Sequence, residues 1–516
     1  MSSEALVLGI DASTTACKAV VWDLHGCAAA EGRAAIPLSK PRPLWHEQSA
    51  EAWWDALLIA VRAALGDRPD LARRIAAVSI APQRETFVPV DATGAPLRPA
   101  IVWMDERAGA LLPALAAAYG AERIHHETGK PLSGNLTLVK IAWLREYEPE
   151  LYAHVGKFLD VGAFLTHRLT GSYRTGWGCV DPTGLFDMRR DTWNAALLDD
   201  LGISIDQLPV AYPPGAVVGE VTAEASKVCG VPDGTPVVAG VGDGQAGGLG
   251  AGIVASGDCY LNLGTAVITG TTTDHYVVDR AFRTMYGAVP GTYSLETVLL
   301  GGTYTVTWFI ETLMGAHGEA AERLLQSFDD GLEGTPAGAE GLIFVPYMNS
   351  AMNPYWDAEA SGIAVGWRGI HTPAHLYRAI LEGIAFEVRL HTEGVEVALQ
   401  RPVASYTAMG GGARSRRWRQ IVADVTGKPV VCAEAGEAAA LGAGILAAAG
   451  VGIFPDVGAA TRAMSRRVPE IAEPDALRRD VYYRLYDQVY RELFPALRPY
   501  VDRLTALLPS RDLSNG

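Results

Sequence analysis

Cysteine is scarce in this chain. There are six in 516 residues (Cys17, Cys27, Cys179, Cys229, Cys259 and Cys432), with no Cys-x-x-Cys pair and no spacing that suits a metal ion. A disulfide-stapled scaffold is thereby excluded, and a reduced, intracellular setting is expected. Positive charge is also short. Lys plus Arg total 43 against 58 Asp plus Glu, a formal net charge of −15, and no basic block extends beyond a few residues. Neither nucleic acid nor an anionic membrane is therefore expected as a partner. Long apolar runs are missing as well: the longest, Ala438 to Phe454, has 17 residues and is broken by glycines, where a membrane span needs about 20. The start, Met1-Ser2-Ser3-Glu4, carries no basic segment of the secretory kind, so a cytoplasmic location is expected. No P-loop occurs, because Gly427-Lys428 runs into Pro429; any ATP must be bound by other means.

What remains is an ordinary globular composition, 49% apolar and 20% charged with 56 glycines, long enough for two to four domains at roughly 100–200 residues each. The first pattern is strand–turn–strand. Leu6 to Ile10 reads as a strand ending at Asp11, Ala12 to Cys17 as a turn holding Ser13, Thr14 and Thr15, and Ala19 to Trp22 as the returning strand. A third strand follows, then a helix capped by Ser49 with Trp53, Trp54, Leu57, Leu58 and Val61 on one face. Next come the strand Ile75 to Ala81, the turn Pro82-Gln83-Arg84-Glu85 and the strand Thr86 to Val90. The same figure returns about 250 residues later: a buried strand over Thr235 to Val241, a small-residue helix, then the strand Cys259 to Leu263, the turn Gly264-Thr265-Ala266 and the strand Val267 to Gly270. Such a repeat predicts two duplicated domains facing each other, with a boundary near residues 245–255. The segment Asp480 to Leu508 has helical periodicity through Tyr483, Leu485, Tyr486, Val489, Leu493 and Leu497.

Five clusters could carry chemistry. The Asp11–Lys18 turn, rich in small hydroxyl residues, can aim backbone N–H groups and hydroxyls at phosphate oxygens, and Asp11 can hold Mg²⁺, usually through waters; an ordinary hairpin turn is the plainer reading. Gly264-Thr265 would make the other half of a pincer on one polyphosphate. Gly242-Asp243-Gly244-Gln245-Ala246-Gly247 satisfies Gly-x-Gly-x-x-Gly, yet an Asp between the glycines repels a pyrophosphate and the next strand lacks the acidic residue a dinucleotide fold requires. Asp243 suits a general base at a strand's carboxyl end. Gly410-Gly411-Gly412-Ala413-Arg414-Ser415, between a strand and a helix, would let a flat ring or a phosphate reach the backbone, with the Gly/Ala-rich helix Ala438 to Ala449 packed tightly beside it. Gln83-Arg84-Glu85, with Trp103, Asp105 and Arg107, offers the donors and acceptors that a polyhydroxylated substrate needs; a surface ion pair is the plainer alternative. His371 and His375 do not share a continuous helical face and His125-His126 has no partner pattern, so no zinc site is expected.

In this order the elements resemble the FGGY family of carbohydrate kinases, from Leu6 to about Gly450. Residues 8–18 look like its first phosphate loop, with Ser13 where the family usually has Gly. Gly264-Thr265 looks like the second phosphate loop and Gly410 to Ser415 like the adenosine loop. Thr137 to Leu144 and His375 to Glu382 resemble the family's signature stretches. The resemblance implies an α/β protein of two actin-like (ribonuclease-H-like) ATPase domains, residues 1–250 and 251–516, with a cleft between them that closes during turnover. It implies Asp243 as catalytic base; Ser13, Thr14, Thr15, Lys18, Gly264, Thr265, Gly302, Gly411, Gly412 and Arg414 at ATP; Asp11 and Asp243 at Mg²⁺; and Gln83, Arg84, Glu85, Trp103, Asp105 and Gln245 at the sugar. A homodimer is an assembly open to such a protein.

Substrate features are mixed. Pro43-Leu44-Trp45-His46-Glu47-Gln48, Trp53-Trp54 and Trp103-x-Asp105-x-Arg107 look most like xylulokinases, whereas Gln83-Arg84-Glu85-Thr86 looks like glycerol kinases. After Asp243 stands Gly244, where glycerol kinases have Gln and xylulokinases Asn. A ketopentose such as xylulose is the first expectation, a glycerol- or erythritol-type polyol the second. An actin-like ATPase without a sugar and a dinucleotide-dependent oxidoreductase are the rivals from other classes.

Overall fold

A computed structural model describes residues 5–66, 68–348 and 350–507; the Met1–Glu4 start and Leu508 lie outside the described residues. Two mixed sheets organise the chain. The N-terminal sheet is built from β1 (Leu6–Ala12), β2 (Ala16–Trp22), β3 (Ala28–Ala35), β4 (Ile75–Pro82), β5 (Val217–Glu220) and β6 (Pro236–Val238), in the order β5-β6-β4-β1-β2-β3. The C-terminal sheet holds β7 (Cys259–Leu263), β8 (Val267–Thr273), β9 (Arg283–Tyr286), β10 (Tyr293–Leu299), β11 (Tyr406–Met409), β12 (Val430–Ala433) and β13 (Arg467–Ala472), in the order β9-β10-β8-β7-β11-β12-β13. The expected repeat is visible in the pairing. β1 is antiparallel to β2 and parallel to β4, and β7 is antiparallel to β8 and parallel to β11. The strand expected over Thr235 to Val241 is shorter, Pro236–Val238, and just beyond it Gly240 lies so close to the Ile80 carbonyl that a Cβ would collide with it.

β1 is buried along its whole length, as expected of a strand covered on both faces. Leu6, Leu8 and Ile10 face α1 (Ala50–Leu65), whose Trp53, Leu57 and Val61 complete that core; Ser49 caps the helix by accepting from the Ala52 N–H at 3.4 Å. Val7, Val20 and Trp22 face the other way, onto α7 (Ala438–Gly450). This Gly/Ala-rich helix, expected beside the Gly410–Ser415 loop, thus crosses to the N-terminal sheet. Small residues make the approach feasible: a Cβ at Gly9 would collide with the Ala440 carbonyl and one at Gly444 with the Trp22 ring, and the Trp22 indole N–H donates to the Ala440 carbonyl at 3.1 Å.

The C-terminal core gathers around α5 (Pro373–Leu399) and the last helices, Ala476–Leu485 and Arg491–Leu507. Their buried face is Tyr482, Tyr486, Tyr490 and Phe494, with Leu485, Leu493 and Leu497 packed beside it as the spacing suggests, while Val489 is exposed. A π-helical turn at Tyr486–Tyr490 separates the two helices and contains Val489. Among the described residues no helix is long and apolar enough to cross a membrane.

Candidate active site

The parallel strands place the chemistry at their carboxyl ends. β1 ends at Asp11 and Ala12, β4 runs into Gln83-Arg84-Glu85, and the chain leaving β6 reaches Asp243 at the start of α3 (Asp243–Gly250). In the other sheet β7 leads to Gly264-Thr265, β11 to the Gly410 loop and β12 to Glu437, just before α7.

In the first loop the ladder sets Asp11 opposite Lys18, with Nζ 3.4 Å from Oδ2. Lys18 also reaches across to Glu437 at 2.6 Å. Asp11 Oδ1 is buried with no partner. Burial pushes the Asp11 carboxyl up to about 7, against the pull of Lys18 and with help from Asp243 and Glu437. The Ser13 hydroxyl is spent on its own turn, donating to the Ala16 carbonyl at 2.8 Å. Thr14 is held from two sides: its carbonyl accepts from Gln48 Nε2 at 2.5 Å, and its hydroxyl accepts the Trp103 indole N–H at 2.9 Å. Thr15 is exposed at the tip.

The second loop carries no charge. The start of α4 (Thr303–Trp308) supports it: the Thr303 N–H donates to the Gly264 carbonyl at 2.8 Å and the Tyr304 N–H to the Thr265 carbonyl at 3.2 Å. Gly302 is needed there, since a Cβ would stand 2.6 Å from the Gly264 carbonyl oxygen. The Gly410 loop adjoins it through the β7–β11 ladder, in which Asn262 pairs with Met409. Gly410 has a left-handed backbone (φ +87°) with Asn262 filling the space of any Cβ, whereas Gly411 faces open space. Gly412 is packed on the ring of Trp418, which lies on α6 (Arg416–Thr426), and Arg414 is exposed.

Asp243 is 37% exposed, while most of what surrounds it is buried. Arg84 Nε lies 3.4 Å from its Oδ1, and the Gly244 N–H donates to the same oxygen at 2.8 Å. Burial raises its carboxyl; Arg84 and the Gly244 N–H oppose this, and Glu296 and Glu85 add to it. Arg84 is bound in turn to Glu296 on β10, with Nη2 to Oε2 at 2.9 Å. Arg283 on β9 bridges Glu296 and Glu85, reaching Glu85 Oε1 at 2.7 Å. Burial alone would raise the Glu296 carboxyl, but Arg84 and Arg283 outweigh it and hold it well below the usual range.

Trp103 and Glu85 are anchored by a buried lysine. Lys140 donates to the carbonyls of Glu85 (3.1 Å), Trp103 (3.2 Å) and Asn135 (2.7 Å). It belongs to α2 (Thr137–Tyr147), the first signature stretch, and burial lowers its ammonium to about 7.

The structure thus brings Asp11, Thr14, Lys18, Arg84, Glu85, Trp103 and Asp243 into one connected arrangement. Three residues expected at the sugar have their polar groups engaged elsewhere. Both oxygens of Asp105 are taken by Arg107 and the His46 N–H, at 2.6–3.0 Å. Gln83 is bonded to Gln48 and Thr86. Gln245 Nε2 donates to the carbonyls of Gly178 and Tyr286 at 3.3 and 3.4 Å, leaving only Oε1, buried and without a partner.

Sequence reasoning passed over Lys140, Arg283, Glu296 and Glu437. The signal for Lys140 was a lysine on the buried face set by Thr137, Ile141 and Leu144; for Glu296 it was a carboxylate between Leu295 and Thr297-Val298-Leu299 in a strand, and Arg283, at the start of β9, carried no local signal. The dinucleotide reading fails on space as well as charge. A Cβ at Gly242 would collide with the Arg84 side chain, so a pyrophosphate has no room there, and the Gly244 N–H is already taken by Asp243. No group of three or more His, Cys, Asp or Glu among the described residues could hold a metal ion, His371, His375 and His125-His126 included.

Comparison with known proteins agrees with this geometry. The N-terminal domain of the FGGY family of carbohydrate kinases matches residues 6–250 and its C-terminal domain residues 259–451. A xylulose kinase of Escherichia coli is 30% identical over 445 residues, 86% of this chain and 89% of that one. A glycerol kinase of Dechloromonas aromatica is 32% identical over 492 residues, 91% of this chain and 94% of that one. The crystal structure of a ligand-bound xylulose kinase from Lactobacillus acidophilus superimposes with a TM-score of 0.89 at 26% identity, covering 97% of this chain and all of that one. With both domains matched and the two actin-like sheets in place, the chain belongs to the FGGY family of carbohydrate kinases and is an ATP-dependent sugar kinase.

Proposed function

We propose that this kinase transfers the γ-phosphoryl group of ATP to a terminal hydroxyl of a small neutral sugar, xylulose first, and that halves meeting near residue 250 enclose the reactants. One observation carries the reading: an accessible carboxylate, Asp243, stands beside a wall in which two guanidiniums (Arg84, Arg283) are already matched by two carboxylates (Glu85, Glu296). Such a wall has no unmatched cation for a sugar acid. It does retain a buried donor, Arg84 Nη1, and a buried acceptor, Gln245 Oε1, without partners, and hydroxyl groups satisfy both kinds.

In this mechanism Arg84 and Glu85 orient the sugar hydroxyls. Trp103, tied to Thr14, aligns that wall with the first phosphate loop. Asp243 accepts the proton of the attacking hydroxyl while its oxygen bonds to the γ-phosphorus. The bond from that phosphorus to the β,γ-bridging oxygen breaks, and its electron pair leaves with ADP. The raised affinity of Asp243 for a proton makes it a better acceptor than a surface carboxylate. N–H groups around Thr14, Thr15 and Gly264-Thr265 stabilise charge on the phosphates, Lys18 adds a cation, Gly302 shapes the second loop, and Gly411, Gly412 and Arg414 flank the adenosine. Mg²⁺ fits beside Asp11 and Asp243, where Asp11 Oδ1 is buried and unpartnered and a cation would relieve its raised carboxyl; when bound it neutralises phosphate charge.

A second reading, a glycerol- or erythritol-type polyol kinase, is favoured by Gln83-Arg84-Glu85-Thr86 and by the similarity to a glycerol kinase. ADP release measured with Mg·ATP across xylulose, ribulose, glycerol, erythritol, arabinitol and gluconate decides between them. Xylulose should give the highest kcat/KM, and Asp243→Asn should lower kcat by about 10²–10⁴-fold. Highest turnover with glycerol or erythritol would select the second reading. Strong turnover of gluconate, or a near-native Asn variant, would overturn the assignment.

A further inference from the structure

Asp243 sits between two glycines for a spatial reason. A Cβ at Gly244 would stand 3.0 Å from Glu296 Oε2 and 3.2 Å from Arg84 Nη2, and one at Gly242 would collide with the Arg84 stem. The room beside the base is therefore filled by one side chain from each half of the molecule. Arg283 and Glu296 face each other across the β9–β10 ladder and are both buried. Glu296 accepts from Arg84 (3.1 Å), from Arg283 and from the Tyr260 hydroxyl (3.3 Å), so its orientation is set by three donors. Glu85 has a left-handed backbone, φ +56°, a conformation that persists in a non-glycine residue only where the surroundings impose it. Those surroundings are Arg283 on its carboxylate, and Thr137 and Lys140 on its carbonyl, both at 3.1 Å.

We propose that Arg283 and Glu296 are specificity-determining positioning residues of the sugar site, supplied by the C-terminal half to aim Arg84 and Glu85 at a neutral polyhydroxylated substrate. Glu296 draws the far end of the Arg84 guanidinium away from Asp243, leaving Nε toward the base and Nη1 unpaired. Arg283 holds the Glu85 carboxylate through a fork that also grips Glu296. Without Glu296, the nearest carboxylate left to Arg84 is Asp243, already 3.4 Å from its Nε; the guanidinium then closes on the base and leaves the sugar. A purely N-terminal sugar pocket would have no such dependence on β9 and β10.

The inference rests on the reading that Arg84 and Glu85 hold the sugar, and steady-state kinetics with xylulose and Mg·ATP separates the two. Arg84→Ala, Glu296→Gln, Arg283→Lys and the Arg84→Ala/Glu296→Gln double variant are compared with the parent, folding being checked by thermal melting. Glu296→Gln should raise the xylulose KM at least tenfold with the ATP KM within twofold of the parent. Arg283→Lys, which keeps the charge but loses the fork, should raise it about threefold. The double variant should be no worse than Arg84→Ala by more than twofold, because Glu296 acts through Arg84. An Arg84→Ala enzyme with the parent's xylulose KM overturns the underlying reading and this inference with it. A raised KM in Arg84→Ala beside unchanged values in Glu296→Gln and Arg283→Lys overturns the inference alone, as do multiplicative effects in the double variant. Should Glu296→Gln fail to fold, the milder Arg283→Lys decides by the same criterion.

Discussion

The hairpin β1–β2 and the hairpin β7–β8 occupy equivalent places in their sheets, each beside a parallel strand, β4 in one and β11 in the other. The correspondence continues outward. β6 leads to Asp243 and α3, β12 leads to Glu437 and α7, and the two helices touch so closely that a Cβ at Gly442 would collide with the Ala246 carbonyl. The charges, however, are not duplicated. The first loop carries Asp11 and Lys18, whereas the second, Gly264-Thr265-Ala266, carries none. Asp243 lies 3.4 Å from Arg84, while its counterpart Glu437 is bonded to Lys18 at 2.6 Å, the two side chains being similarly exposed at 37% and 31%. A duplicated frame thus supplies two equivalent turns, and the partner each carboxylate has, rather than its exposure, is what distinguishes the halves.

The sharpest way to break this comparison is to neutralise each carboxylate in turn. Asp243→Asn should lower kcat by about two to four orders of magnitude, the range a positioned general base contributes. Glu437→Gln removes half of a pair that is partly exposed at both ends, and such pairs are worth about 1 kcal/mol or less; kcat and the ATP KM should change by less than about fivefold. Equal losses in the two variants, measured by ADP release, would show that the two halves share the chemistry. Next in size is Gly302→Ala. Its Cβ would meet the Gly264 oxygen at 2.6 Å and the Thr265 oxygen at 2.8 Å, which are backbone atoms with little freedom. A displaced second loop should raise the ATP KM by about tenfold, corresponding to ~1.4 kcal/mol, and leave the sugar KM near the parent value. A sugar-specific effect would instead connect the second loop to the sugar wall.

The features legible in the sequence are those written within a dozen residues: the strand–turn–strand figures, the accessible Asp243 between glycines, and the glycine run after β11. Each depends on local backbone geometry, so the local pattern suffices. The Arg84–Glu296–Arg283–Glu85 quartet was not legible, because its members come from the turn after β4, from β9 and from β10, and only the packing of the two halves joins them. The protein partners of Asp105 and Gln83 were hidden for the same reason. A carboxylate or an amide next to a binding motif is indistinguishable from one behind it until Arg107, Gln48 and the His46 N–H are seen to occupy it. In the last helices the spacing found Leu485, Tyr486, Leu493 and Leu497 on the core side and missed only that Val489, inside the π-turn, faces out.

The smallest expected effect concerns stability, and it too comes from the asymmetry between the hairpins. Asp11 is buried at the end of β1 with one oxygen unpartnered and its carboxyl raised to about 7 from an ordinary 3.8. The native state therefore binds this proton more tightly than the unfolded chain, so the contribution to stability is fully present below pH 4 and is lost as the pH rises through 7. At pH 8, without nucleotide or metal, the ionised carboxylate is a native-state cost that Lys18 only partly offsets. Asp11→Asn removes that cost and should raise Tm by about 2–4 °C at pH 8, taking ~1 kcal/mol per such step in domains of this size. The gain should shrink toward pH 5, where the parent carboxyl is itself neutral. The second loop is flanked by Asn262, which has no carboxylate to ionise, so the pH-dependent term belongs to the first hairpin. Added Mg·ATP should stabilise the parent more than the variant and narrow or reverse the difference at pH 8, because a cation beside Asp11 satisfies the charge that burial penalises. Thermal melts at pH 5 and 8, with and without Mg·ATP, test this directly. A variant less stable than the parent at pH 8 in the ligand-free state would mean that the Asp11–Lys18 pair stabilises the hairpin more than burial of the carboxylate opposes it, and the first loop would then be a structural bridge before it is a cation site.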